Sequence, residues 1–133
     1  MSAASKVYTV AIAGMGKRGT HHAEAFAHNP RFRLVGFCDI DAGRLEAAKA
    51  KFGVETVSTD AAQLLAATKP DVFAFCTLPT LRLPFIKAGV EAGVQLIAFE
   101  KPVAMTMTEA LEMFKLLRSA GVKSVVSHQH RYG

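Results

Sequence analysis

Three glycines in Gly14-Met15-Gly16-Lys17-Arg18-Gly19 stand in a G-x-G-x-x-G spacing directly after an apolar, β-branched run from Val7 to Ala13. The chemistry that suits such a loop is the holding of a pyrophosphate. The first glycine permits a tight strand-to-helix turn, the second lets a phosphate reach the backbone, and the third lets helix and strand pack closely. Amides left free at the N-terminus of the following helix, which carries partial positive charge, then hold the phosphate oxygens. Twenty residues after Gly19 comes Asp39, at the end of a second apolar run from Arg33 to Cys38. A carboxylate there suits the 2′- and 3′-hydroxyls of an adenine ribose. It would also repel a 2′-phosphate. Ile40 follows, where a basic or hydroxyl side chain would favour one, so NAD is expected over NADP. Lys17, Arg18 and Arg44 supply positive charge in the same neighbourhood, and Lys17 and Arg18 suit a solvated helix start equally well.

These residues do chemistry only if a framework brings their loops to one place. Strand candidates are Val7 to Ala13, Arg33 to Cys38, Thr56 to Ser58, Val72 to Cys76, Val94 to Phe99 and Lys123 to His128. Most are nearly continuous apolar runs, as expected of parallel strands buried on both faces. Helical stretches lie between them. Asp41 is placed to cap a helix carrying Leu45, Ala48 and Phe52, with Gly53 as its stop. Asp60 with Gln63 resembles a capping box, and Thr106 with Glu109 forms a fuller one ahead of a helix closed by Gly121. Pro84 must lie in the first turn of a helix from Leu83 to Ala92, because an interior proline would break it. Alternation of this kind predicts an α/β fold: a doubly wound parallel sheet of about six strands with helices on both faces.

The 133 residues match one domain, with half of them apolar and a fifth charged. A net charge of +5 is scattered, with no run of like charges longer than two residues, which argues against a nucleic-acid binder and suits a small anionic ligand. No apolar run approaches the roughly 20 residues of a membrane span, and the N-terminus has no signal-peptide core. Cys38 and Cys76 form neither a disulfide framework nor a metal-ligand spacing. A reduced, cytoplasmic protein is expected.

Strand four runs into Cys76-Thr77-Leu78-Pro79-Thr80 and strand five into Glu100-Lys101-Pro102. The glycine loop, the Cys-Asp ending of strand two and this E-K-P together resemble the Gfo/Idh/MocA family, relatives of glucose–fructose oxidoreductase and inositol dehydrogenase. The T-x-x-E-A helix and the closing H-Q-H-R-Y extend the resemblance over essentially the whole chain. It implies a Rossmann domain of an NAD(P)-dependent oxidoreductase acting on a sugar, polyol or related carbinol. By resemblance, Lys101 contacts the nicotinamide ribose and the substrate hydroxyl and assists proton transfer. Glu100 helps to place the nicotinamide ribose or carboxamide, Pro102 fixes the loop, and Thr77, Leu78 and Pro79 line the cofactor path. The resemblance also implies a further domain carrying most of the substrate pocket, absent from this chain, and a homo-oligomeric whole. Without that domain the chain is expected to lack turnover. Two positions depart from the family pattern: Leu78 stands where proline is usual and Arg82 where histidine is usual.

Of the remaining histidines, His21 and His22 point about 100° apart on a helix and suit its surface. His128 and His130 share a strand face but have no third ligand nearby, so no metal is expected and His128 is placed near the nicotinamide or the substrate pocket of the further domain. Two other readings stand beside the first: a dinucleotide-binding or redox-sensing module without catalysis, and a different enzyme such as a methyltransferase using the loop for S-adenosylmethionine. Glu100-Lys101-Pro102 favours the first over the methyltransferase.

Overall fold

The computed structural model describes residues 7–75, 82–100, 118–119 and 121–127, and only the backbone of Arg18, Arg82, Phe99, Glu100 and residues 123–127. Among the described residues, six strands form one parallel sheet: β1 (Tyr8–Ala13), β2 (Phe32–Cys38), β3 (Val57–Ser58), β4 (Val72–Phe75), β5 (Leu96–Glu100) and β6 (Lys123–Ser127). Their order across the sheet is β3-β2-β1-β4-β5-β6. The chain therefore winds outward from β1 in one direction and then from β4 in the other, and β1 and β4 meet at the switch point. Open sheets of this kind bind ligands beyond the carboxyl ends of the strands at that point.

Alternation along each strand divides the core between two faces. Val10 and Ile12 pack with Phe37, Leu45, Ala48 and Ala23, which belong to the side of α1 (Lys17–Ala27) and α2 (Ala42–Phe52). Ala11 and Ala13 pack with Leu64, Leu65, Phe73 and Ile86 on the side of α3 (Ala61–Thr68) and α4 (Arg82–Ala92). Residues Val10 to Ala13 are all fully buried, as a strand covered on both faces requires.

Register brings the loops level. Ala13 pairs with Cys38 on one side and with Phe75 on the other, and Phe75 pairs with Phe99. Gly14, Asp39 and Glu100 thus lie along one edge of the sheet. An irregularity contributes: Val10 pairs with Leu34 but Ala11 with Gly36, so Val35 is an extra residue in β2. Without it Phe37, not Cys38, would be level with Ala13, and Asp39 would leave the sheet one position late. Gly36 follows the bulge for a packing reason. A side-chain carbon there would lie 2.6 Å from Leu64 Cδ1 and 3.1 Å from the Thr56 carbonyl oxygen.

Both expected aspartate caps form. Asp41 Oδ1 accepts from the amides of Gly43 and Arg44, and Asp60 Oδ1 from those of Ala62 and Gln63. The second is not a reciprocal capping box. Ser58 takes the place of Gln63: its hydroxyl accepts from the Asp60 amide at 3.0 Å and donates to Gln63 Oε1. Gly53 and Gly121 sit at φ 68° and 69° as helix stops, and Pro84 is the third residue of α4, within its first turn. β5 begins at Leu96, later than the apolar run beginning at Val94 suggests. Gly93 is left-handed at φ 78°, and the Val94 amide donates back to the Gly89 carbonyl, so Val94 closes α4 before the strand starts. The helix expected from Thr106 lies outside the described residues apart from Arg118 and Ser119, which are helical.

Candidate functional site

The loop between β1 and α1 divides its three glycines between two tasks. Gly14 adopts φ 87°, a conformation that costs any other residue about 1–2 kcal/mol, and its amide donates to the Cys38 carbonyl at 2.7 Å. Gly19 is buried against the loop: a side-chain carbon built on it would fall 1.6 Å from the Gly14 carbonyl oxygen. Both positions exclude a side chain for the sake of the fold itself. Gly16 is different. Its backbone is extended at φ −74° and ψ −158°, and among the described residues an added carbon would meet nothing nearer than Arg44 Nη1 at 3.5 Å, the end of a flexible side chain. The fold does not require glycine there. Open space above the backbone at Gly16 is what a ligand approaching the loop requires.

Capping points the same way. Aspartates accept two amides at the start of α2 and two at the start of α3, whereas α1 begins at Gly16 with no side-chain cap and no acidic residue in its first turn. Among the described residues, no carboxylate caps its first amides or neutralises its partial positive charge. Lys17 is exposed at this end. Met15, between the glycines, turns its side chain into the core and donates its amide to Asp39 Oδ2 at 2.6 Å.

Asp39 is the one charged residue among the described buried side chains, 6% exposed. Besides the Met15 amide on Oδ2, it accepts the Asp41 amide on Oδ1 at 2.9 Å. The carboxylate thus ties the glycine loop to the start of α2, and each oxygen retains a second lone pair. Arg44 lies on its open side, with Nη1 3.8 Å from Oδ2. Ile40, next in sequence, is 87% exposed, a large apolar side chain beside the carboxylate. Cys38 behind it is inert: burial, then the charges of Asp39 and Asp60, push its thiol from an ordinary 9.0 up to about 11. The thiol therefore stays protonated, and so unreactive, at neutral pH. Its contribution to stability is full below pH 9.0 and is lost as pH rises through about 11.

The structure therefore brings Gly14, Met15, Gly16, Lys17, Gly19 and Asp39 together at one edge. Glu100 ends β5 along the same edge, its backbone level with Ser127 of β6. Thr77, Leu78, Pro79, Lys101, Pro102 and His128 lie outside the described residues, as do the side chains of Arg18 and Glu100. Sequence reading placed Arg44 in the neighbourhood by its charge alone. Its position over Gly16 and against Asp39 follows from the Asp41 cap, which starts α2 so that the third helical residue faces back across the loop. Among the described residues, no group of three or more His, Cys, Asp or Glu could hold a metal ion, and no helix is long and apolar enough to cross a membrane.

A family model described as "Oxidoreductase family, NAD-binding Rossmann fold" matches residues 8–128. The chain belongs to the Gfo/Idh/MocA family. Two curated relatives of this Gfo/Idh/MocA domain are sugar dehydrogenases by name. D-apiose dehydrogenase of Paraburkholderia graminis is 31% identical over 127 residues, covering 96% of this chain and 34% of its own length. D-glucoside 3-dehydrogenase of Escherichia coli is 32% identical over 124 residues, covering 92% of this chain and 35% of its own. The Gfo/Idh/MocA domain thus spans about a third of the length of the curated relatives it matches. Among solved structures, apo scyllo-inositol dehydrogenase from Lactobacillus casei superposes with a TM-score of 0.85 at 21% identity, over 92% of this chain and 37% of that one. The expectations of a doubly wound Rossmann fold and of an NAD-binding oxidoreductase domain both hold.

Proposed function

We propose that this chain is the cofactor-holding part of an NAD-dependent oxidoreductase acting at a carbinol carbon of a sugar or polyol. The observation that carries this reading is Gly16, a glycine that the backbone conformation and packing of the protein do not need, set over an uncapped helix start. The residues present fit a dinucleotide. Amides at the start of α1 hold the pyrophosphate, Gly16 lets it approach, and the lone pairs left on Asp39 accept the adenine-ribose hydroxyls. Bound there, the dinucleotide would supply a hydride acceptor or donor at its nicotinamide C4. Thr77, Leu78 and Pro79 line its path, and Glu100 and His128 bear on its nicotinamide end. Lys101 is the catalytic residue, holding the substrate hydroxyl and moving its proton. The names of the two sugar dehydrogenases support the substrate class. A cytoplasmic location, and assembly of the whole protein with copies of itself, belong to the same reading.

The curated relatives are about three times as long as this chain, and the grip on substrate is assigned to the kind of sequence that fills their remaining length. Much of a dehydrogenase's rate depends on holding the reacting carbon about 3–3.5 Å from its partner, and Lys101 alone does not fix a polyol. The 133-residue chain is therefore expected to bind NADH in the micromolar range yet show no turnover with NAD against a panel of sugars and polyols. A rise in NADH fluorescence on titration, with the chain verified intact by mass, reads the first. Failure to bind NADH would remove the function proposed, and robust turnover would place the substrate site within these residues.

A further inference from the structure

Met15 lies between Gly14 and Gly16, and the fold holds it by its side chain, its amide and its carbonyl. The side chain is 4% exposed, packed in the core cluster that includes Ala23. The amide donates to Asp39 Oδ2 at 2.6 Å, and the carbonyl oxygen accepts from the Thr20 hydroxyl at 3.3 Å. This last contact is unusual. A helical threonine ordinarily returns its hydroxyl to a carbonyl three or four residues back. Here the Gly16 carbonyl accepts the Thr20 amide at 2.9 Å, and the hydroxyl reaches one residue further, out of α1 and into the loop.

That reach fixes an atom Thr20 does not touch. The Met15 carbonyl and the Gly16 amide belong to one planar trans peptide and point in opposite directions. With the carbonyl drawn toward Thr20, the Gly16 N–H points away from it, and among the described residues no acceptor takes that N–H. The peptide turns only about ψ of Met15 and φ of Gly16. Glycine tolerates either sign of φ and so resists a flip poorly. Asp39 and the core hold the backbone before the Met15 Cα, and Thr20 holds the peptide after it. A flipped peptide would present an anion with a carbonyl oxygen in place of a donor.

We propose that Thr20 is a positioning residue for cofactor binding: its hydroxyl, acting through the Met15 carbonyl, keeps the Gly16 amide aimed at the pyrophosphate. The proposal rests on the dinucleotide reading above. At 3.3 Å the contact is longer than a strong hydroxyl bond, so its loss should weaken the site without abolishing it.

The test compares NADH dissociation constants of the wild-type chain, Thr20→Val, Thr20→Ala and Thr20→Ser, titrated by cofactor fluorescence. Valine and alanine both remove the hydroxyl, and binding should weaken about threefold to tenfold in each, as for one lost hydrogen bond. Thr20→Ser keeps the donor and should bind within about twofold of wild type. Alanine is a better helix former than serine. A role in helix stability alone would therefore have Thr20→Ala bind at least as well as Thr20→Ser, the reverse of the order expected here. In the free chain, the Gly16 amide resonance should move in Thr20→Val and Thr20→Ala and far less in Thr20→Ser. Melting curves show which variants are folded, and the alanine and serine pair decides alone if Thr20→Val is not. Unchanged NADH affinity in Thr20→Ala, or an equal loss in Thr20→Ser, overturns the role of Thr20 and leaves the dinucleotide reading standing. A wild type that does not bind NADH overturns both.

Discussion

Gly19→Ala is expected to cost the protein both its loop and its ligand. The added methyl would lie 1.6 Å from the Gly14 carbonyl oxygen and 2.8 Å from the carbonyl carbon, distances that no rotamer relieves because both groups are backbone. Either α1 must lift from the end of β1 or Gly14 must leave its left-handed conformation. Gly14 is itself fixed by its hydrogen bond to Cys38, so the movement spreads into the pairing of β1 with β2. Overpacking of a well-filled site typically costs about 1–3 kcal/mol, and a backbone clash this deep belongs at or above the upper end. For a domain of this size that is a fall in melting temperature of roughly 10 °C. Loss of NADH binding should accompany it, since the amides at the start of α1 would no longer point at one place. A thermal melt paired with an NADH titration reads both, and a variant with normal melting would show that the loop has slack the geometry denies.

Gly16→Ala should separate what Gly19→Ala joins. At φ −74° the backbone suits alanine, and among the described residues the methyl would meet only the movable end of Arg44. Alanine is a poorer N-cap than glycine, but it restricts the unfolded chain more, and these effects offset each other within about 1 kcal/mol. Stability should therefore stay within a few degrees of wild type. Binding should not. The methyl occupies the space above the loop where a pyrophosphate would lie, and NADH affinity is expected to fall by about tenfold or more, equal to roughly 1.4 kcal/mol or more. If affinity survived, the open space at Gly16 would have another purpose.

The contrast between these two glycines marks where sequence reading reached its limit. G-x-G-x-x-G after an apolar run announces the loop, and general rules assign each glycine a task. Which of them the fold can spare depends on the height of α1 above β1, a distance between elements that spacing does not encode. Local signals carried well: Asp41 and Asp60 cap helices because the side chain and the amides it meets lie within three residues. The alternation of strands and helices likewise predicted the doubly wound sheet. Pairing across strands was less legible. Nothing in the run Arg33 to Cys38 marks Val35 as an extra residue, because the bulge appears only when β2 is laid against β1. Gln63 bonded to Ser58 instead of returning to the Asp60 amide, since a serine two residues before the cap reached that amide first. Arg44 was visible as a charge, but its place between Asp39 and Gly16 required the turn that brings α2 back across the loop.

A dinucleotide held by the backbone between β1 and α1 and by the carboxylate after β2 must disturb the amides of both segments. Amide chemical shifts of the isotope-labelled chain during an NADH titration read that disturbance residue by residue. The largest changes are expected on Gly16, Lys17, Arg18 and Gly19 at the start of α1, and on Ile40 and Asp41 beside Asp39. Changes centred elsewhere in the sheet, or saturable binding that leaves these amides unmoved, would contradict that placement of the dinucleotide.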